Sequence, residues 1–243
     1  MLNSIKKKSA MTCSEFHLFD LNDKVIIPID ADGKKLPLAC WMHFKAEKTK
    51  PKIPLLAIHF YSTPHPDPQT KLILDEFCNK YKLDIKYVHH KEVTNRDELY
   101  NMYIEQAMIQ GYNKIAIPDT IEAINAAMLA KMCDEGVLDA PDPKQEFQIN
   151  DNTSIYLIRP FCYCSNKNIE EYAQKNSFKV HPGGINPPNE NSLDASTDAL
   201  NILYKFSPNV SVNFFHSQFH VEEKYLGGGD GAIHEMMSFD ENT

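Results

Sequence analysis

No stretch of this 243-residue chain approaches the roughly 18 consecutive apolar residues that a membrane-crossing helix requires. The opening MLNSIKKKSAMTC carries three lysines but no apolar core after them, so it is not expected to be a signal peptide. Its six cysteines include no C-x-x-C pair. Without a secretion signal they read as reduced thiols of a cytoplasmic protein. Basic charge is also short: 25 Lys and Arg face 33 Asp and Glu, for a net charge of −8. That balance argues against a broad nucleic-acid surface and leaves room for a local basic patch. No internal repeat is visible.

What is present is an alternation of two periodicities. Short apolar runs read as strands at Val25–Ile29, Leu55–Phe60, Ile85–His89, Lys114–Ile117 and Ser154–Ile158. Between them lie helical patterns at Lys34–Ala46, Pro68–Tyr81, Arg96–Gln110 and Thr120–Cys133. Ile121, Ile124, Met128 and Met132 form one apolar stripe, and Leu99, Met102, Tyr103 and Ile109 another. This order predicts an α/β fold, a doubly wound parallel sheet covered on both faces. Gly136–Asn152, rich in Asp, Pro and Asn, reads as a long loop. Ser165 is placed to cap a further helix running to about Asn176. His181–Asn191 reads as irregular, and Leu193, Thr197, Leu200 and Leu203 mark a helix ending before Pro208. The expected division is an N-terminal arm over 1–20, with Lys6–Lys8 solvated, then the α/β domain over 21–180. A helical C-terminal appendage over 181–225 and a flexible tail over 226–243 complete it.

The turn after the first strand is the most informative stretch. A phosphate-binding loop there needs small residues whose backbone N–H groups can wrap an anion. This chain places Asp30 and Asp32 in that turn, followed by Gly33, Lys34 and Lys35. Two carboxylates repel a phosphate, and side chains in place of glycine block its close approach. Lys34 and Lys35, at the helix start, offset part of the repulsion.

Further along, Tyr156-Leu-Ile-Arg-Pro-Phe-Cys-Tyr-Cys-Ser-Asn-Lys-Asn-Ile-Glu-Glu-Tyr-Ala173 resembles a block of the tRNA 2-thiocytidine biosynthesis proteins. These belong to the PP-loop, or N-type ATP pyrophosphatase, superfamily. The resemblance runs in order from about Asp23 to Phe219 and is closest in this block. It implies an adenine nucleotide alpha hydrolase-like (PP-loop ATPase) fold. It also implies a nucleotide pocket built from Asp30, Asp32, Gly33, Lys34, Lys35, His59, Asp119 and Glu122, and a possible homodimer. Each motif of that family's chemistry is altered here. Asp30–Lys35 stands where the family has Ser-Gly-Gly-x-Asp-Ser, and Pro118-Asp119-Thr-Ile-Glu122 stands at its Gly-His-x-x-Asp-Asp. Glu92–Glu98 holds no cysteine where a C-x-x-C pair helps to bind an iron–sulfur cluster, and His181–Pro188 holds none where another is expected. The resemblance therefore implies a degenerate member, a pseudoenzyme acting through an unknown ligand or protein partner. No catalytic residue is assigned and an iron–sulfur cluster is not expected. One alternative is a diverged tRNA-modifying, thiolation-type enzyme that keeps ATP and magnesium through Lys34 and Lys35. The net charge disfavours tRNA as a partner.

A third alternative is a divalent-metal protein or hydrolase. The carboxyl ends of the strands collect His59, His89, His90 and Asp119, with His65 in the following loop, and imidazoles with a carboxylate can bind a divalent cation. Polar residues also collect at strand ends without any ligand. His216 and His220 share one helical face, but no glutamate completes a His-Glu-x-x-His motif. Cys162 and Cys164 form a C-x-C that reads more readily as two small core residues than as a soft-metal site. The Gly227–Gly231 run follows no strand and reads as a linker.

Overall fold

The computed structural model describes residues 2–181, 185, 191–207 and 209–219. Six strands form one sheet in the order β3-β2-β1-β4-β6-β5. They are β1 (Val25–Pro28), β2 (Leu55–Tyr61), β3 (Asp84–His89), β4 (Lys114–Ala116), β5 (Lys144–Asn150) and β6 (Thr153–Ile158). All neighbours pair in parallel except β5, which runs antiparallel to β6. Helices α2 (Lys35–Lys48), α3 (Pro68–Tyr81), α4 (Arg96–Gln110), α5 (Ile121–Glu135) and α6 (Asn166–Lys175) fall where the sequence pattern puts them. Their ends carry the expected signals. Asn95 caps α4, Thr120 caps α5 and Ser165 closes a capping box on α6, while Gly111 and Gly136 end α4 and α5 in left-handed backbone.

Alternation along the strands divides the core. Val25 and Ile27 of β1 pack with Leu36, Leu38, Ile73, Leu74 and Tyr172 on one face. Ile26 packs with Leu56, Ile58, Met102 and Tyr103 on the other. Both faces of the central strand β1 are covered, so it is apolar throughout, while the edge strands β3 and β5 carry exposed polar residues.

Four readings differ from the structure. Residues 2–15, read as an arm, form α1 (Leu2–Glu15), which buries Ile5, Ser9 and Thr12. Two of those three positions are hydroxyl residues, so the face is invisible to a hydrophobic count. The loop over 136–152 contains β5, because Phe147 and Ile149 alternate with Glu146, Gln148 and Asn150. The sheet is thus mixed rather than wholly parallel. The stripes on α4 and α5 stop short: Ile109 is 62% and Met132 41% exposed. Beyond α7 (Asn191–Phe206) a further helix, α8 (Val210–Ser217), packs Phe215 against Tyr163 and α5. Most of 181–191, together with 220–243, His220 and Gly227–Gly231 among them, lies outside the described residues. No described helix is long and apolar enough to cross a membrane.

Candidate functional site

The chain passes from β1 to β2 and β3 on one side, then returns to β4 on the other. The carboxyl ends of β1 and β4 therefore flank the switch point, the usual ligand crevice of such sheets. Ile29 still bonds to the sheet, its N–H donating to Ile58 O at 2.8 Å. Asp30–Lys34 then turn the chain into α2.

Within that turn the two carboxylates are already engaged. Asp32 Oδ1 accepts from the backbone N–H of Lys34 at 2.8 Å and of Lys35 at 2.6 Å. These are orphan donors of the α2 N-terminus, the groups a phosphate would use. Asp30 is 1% exposed. Its Oδ1 accepts from Ala31 N–H at 2.8 Å, and its Oδ2 has no hydrogen-bond partner. Lys35 Nζ stands 3.8 Å from Asp30 Oδ2 and 3.6 Å from Asp32 Oδ2. Burial pushes the Asp30 carboxyl up to about 6 against the pull of Lys35. For Lys35, burial pulls down, but Tyr103, Asp32 and Asp30 together hold its ammonium above the usual lysine value.

His59 joins this group from β2. Its Nδ1–H donates to Ile29 O at 3.1 Å and lies 3.9 Å from Asp30 Oδ1. Burial lowers its pKa, so the ring is held neutral. His181 reaches the same loop from far along the chain. Its backbone N–H donates to Ala31 O at 2.7 Å, and its Nε2 is 3.3 Å from Asp67 Oδ2 at the α3 N-cap. A Cβ at Gly33 would meet nothing within 4 Å, so no close approach requires glycine there.

The remaining predicted residues have partners of their own. Asp119 Oδ2 accepts from Arg159 Nε at 3.0 Å. Arg159 is fully buried and also donates to Tyr100 Oη at 3.3 Å and Gln145 Oε1 at 3.1 Å. Glu122 Oε2 accepts from Asn166 N–H at 3.0 Å, capping α6. His89 is exposed and packs edge-on to Tyr61, and His90 Nδ1 bonds to Lys91 O. His65 is exposed in its loop. Among the described residues no three His, Cys, Asp or Glu side chains converge to hold a metal. The strand-end cluster of His59, His89, His90 and Asp119 does not assemble, because His59 points into the core while Asp119 is paired to Arg159.

Cys162 and Cys164 lie in a turn after β6 and are fully buried, against Thr12 and Ser9 of α1. Burial pushes their thiols up to about 12 and about 11, so thiolate chemistry is suppressed. An iron–sulfur cluster does not fit these residues, since among the described residues no third Cys, His, Asp or Glu joins them as a ligand. Nor does a nucleotide phosphate fit the turn, where Asp32 takes the backbone donors. Sequence reasoning placed Tyr103 only in an apolar stripe and His181 only in an irregular stretch, and neither as a site residue. Only the tertiary fold brings them to Lys35 and Asp30.

No family model matches the chain. A tRNA-cytidine(32) 2-sulfurtransferase of Coxiella burnetii (strain RSA 493 / Nine Mile phase I) is 26% identical over 133 residues, 54% of this chain and 49% of that protein. The chain thus spans about half the length of the curated relatives it matches. The U34-tRNA thiolase NcsA from Methanococcus maripaludis, solved with its iron–sulfur cluster, superposes with a TM-score of 0.69 at 14% identity. That match covers 90% of this chain and 80% of the thiolase. The chain is similar to a tRNA sulfurtransferase and has the fold of a tRNA thiolase. That fold is the adenine nucleotide alpha hydrolase-like one of the PP-loop superfamily, which the Arg159–Ala173 block implied.

Proposed function

We propose that this protein is a non-catalytic relative of tRNA-thiolating enzymes that acts by binding a ligand or partner. The observation that carries the reading is the pair of bonds from Lys34 and Lys35 N–H to the Asp32 carboxylate. A helix N-terminus that would cradle a phosphate is filled by the chain's own anion. Lys35, the cation best placed to hold a β- or γ-phosphate, is shared between Asp30 and Asp32. An incoming triphosphate would have to displace one carboxylate and stand beside another that is buried. Coulomb repulsion and the lost cap both oppose this.

The test is thermal unfolding with and without Mg-ATP, paired with an assay for pyrophosphate release. A site filled at about 100 times its dissociation constant adds roughly 2.7 kcal/mol. The expected result is no shift and no pyrophosphate. A shift of several degrees that Lys35→Ala abolishes would overturn the reading and favour a working nucleotide enzyme.

A further inference from the structure

The net charge of −8 conceals a strong asymmetry. Residues 1–54 hold ten lysines against six acidic residues. Several of those lysines meet on one groove of about 330 Å³ between α1 and the C-terminal half of α2. Lys6, Lys45 and Lys48 line it with Phe19, Trp41 and Phe44, and among the described residues no Asp or Glu does. The lysines already sit on the rings. Lys6 Nζ lies 5.7 Å from the Phe44 centroid and Lys45 Nζ 5.5 Å from that of Phe19. Phe44 is 41% exposed, a large apolar ring that the core does not claim.

Ammonium groups parked over the exposed Phe44 ring and the half-buried Phe19 ring suit a ligand that is both planar and anionic. We propose that this groove binds a nucleoside monophosphate unit, its base on Phe44 beside the edge of the buried Trp41 and its phosphate among Lys6, Lys45 and Lys48. A stacked base would replace the Lys6 ammonium over Phe44 and release that ammonium to the phosphate. The volume falls in the range of small-molecule sites, and aromatic stacking beside lysines tolerates any base. Lys45 and Lys48 also complement the α2 dipole, being in its last turn. Dipole compensation alone does not account for Lys6, which belongs to another helix. The site is separate from the Asp30–Lys35 turn. Lys35 and Lys48 are the two ends of a 14-residue helix, roughly 20 Å apart. The same chemistry is offered by a free mononucleotide and by an unpaired nucleotide of an RNA strand.

Trp41 is the chain's single tryptophan, so its fluorescence reports on this groove directly. The full chain is titrated with AMP, UMP, a single-stranded RNA pentamer, inorganic phosphate and hexyl phosphate. Free N-acetyltryptophanamide corrects for absorbance. Saturable quenching by the mononucleotides is expected. It should weaken at least about fivefold in Phe44→Ala and about tenfold in Lys45→Ala with Lys48→Ala, and fall with salt. Much tighter binding of the pentamer would assign the unit to an RNA strand, and equal binding to a free nucleotide. An equal response to hexyl phosphate or inorganic phosphate would overturn the assignment, as would quenching that the lysine and Phe44 variants leave intact. A response altered by Asp32→Ala but not by those variants would belong to the other end of α2. That result would sink this proposal while bearing on the proposed function separately.

Discussion

Asp30 and Asp32 stand two residues apart and have opposite effects on the fold. Asp32 is stabilising: it caps α2 through two backbone N–H groups. Asp32→Ala is expected to cost about 1 kcal/mol, lowering the midpoint of a thermal melt by about 2–4 °C. Asp30 is destabilising at neutral pH, because its charge is buried with one oxygen unbonded. Its folded pKa of about 6 lies above the unfolded value, so the folded state holds more protons between them. Stability from this group is therefore full below about pH 4 and is lost as pH rises through about 6. His59, with its pKa depressed, has the opposite slope, losing stability as pH falls. Asp30→Asn keeps an acceptor for Ala31 N–H and removes the first term only. At pH 7 the variant should be more stable than wild type by up to about 3 kcal/mol, and the gain should vanish near pH 4. Urea melts across pH 4–8 check this, and a variant less stable at pH 7 would show that the Lys35 pairing outweighs the burial. Asp30, Asp32, Lys35 and His59 are neighbours because strand ends and the turn after β1 are set by the fold type. The partners of Asp119 and Glu122 were not legible, since Arg159 and Asn166 come from a separate stretch of chain.

At the scale of elements, the strands and helices that were legible are those with a continuous local signal. Strands β1 and β4, buried on both faces, read as plain apolar runs, and α4 and α5 carry caps at both ends. Helix α1 was not legible, since long-range polar contacts hold it more than an apolar stripe of its own, and β5 was not, since its short alternation at Phe147 and Ile149 lies in a stretch rich in Asp, Pro and Asn. Lys8 bonds to Asn168 at 3.1 Å, and Glu15 accepts from Tyr163 Oη at 2.7 Å, tying α1 to α6 and the turn before it. Around the start of β4, Lys114 is 1% exposed and stands 2.6 Å from Asp23 and 3.1 Å from Asp20. Its Nζ also donates to Leu18 O at 2.7 Å. Lys144 of β5 shares Asp20 at 3.2 Å, so this network joins the α1–β1 connection to β4 and the edge strand. Lys114→Met leaves Asp23 buried without its cation. The expected loss is about 3–5 kcal/mol in a urea melt. Adding Asp23→Asn should recover part of it, and no recovery would mean the cost is steric.

For the whole molecule, alternating strand and helix patterns were enough to give the α/β architecture, but not how firmly its parts adhere. Helix α7 is loosely held by composition of its contacts: it buries Ser196 and Leu200 and exposes Ile202, Leu203 and Phe206. Asn125 of α5, itself fully buried, holds it in place by donating to Tyr204 Oη at 3.2 Å and to Ser211 O at 2.8 Å. Few buried apolar groups and a polar clasp imply local opening at a lower free energy than global unfolding. Amides of α7 should therefore exchange with deuterium well before those of β1, β2 and β4. Asn125→Ala should accelerate exchange in α7 and the first turn of α8, and leave the central strands nearly unchanged. Phe215, buried against Tyr163, should keep the end of α8 slower than α7. Should α7 exchange at the rate of the sheet, the appendage and the α/β domain would form one cooperative unit, and the proposed division at 181 would not survive. The exchange rates also bear on the loop over Asp30, because His181, which donates to Ala31 O, precedes α7 by ten residues in the chain. Opening that spreads from α7 to His181 would uncover the buried carboxylate, and the Asn125→Ala variant would then show faster exchange at the start of α2 as well.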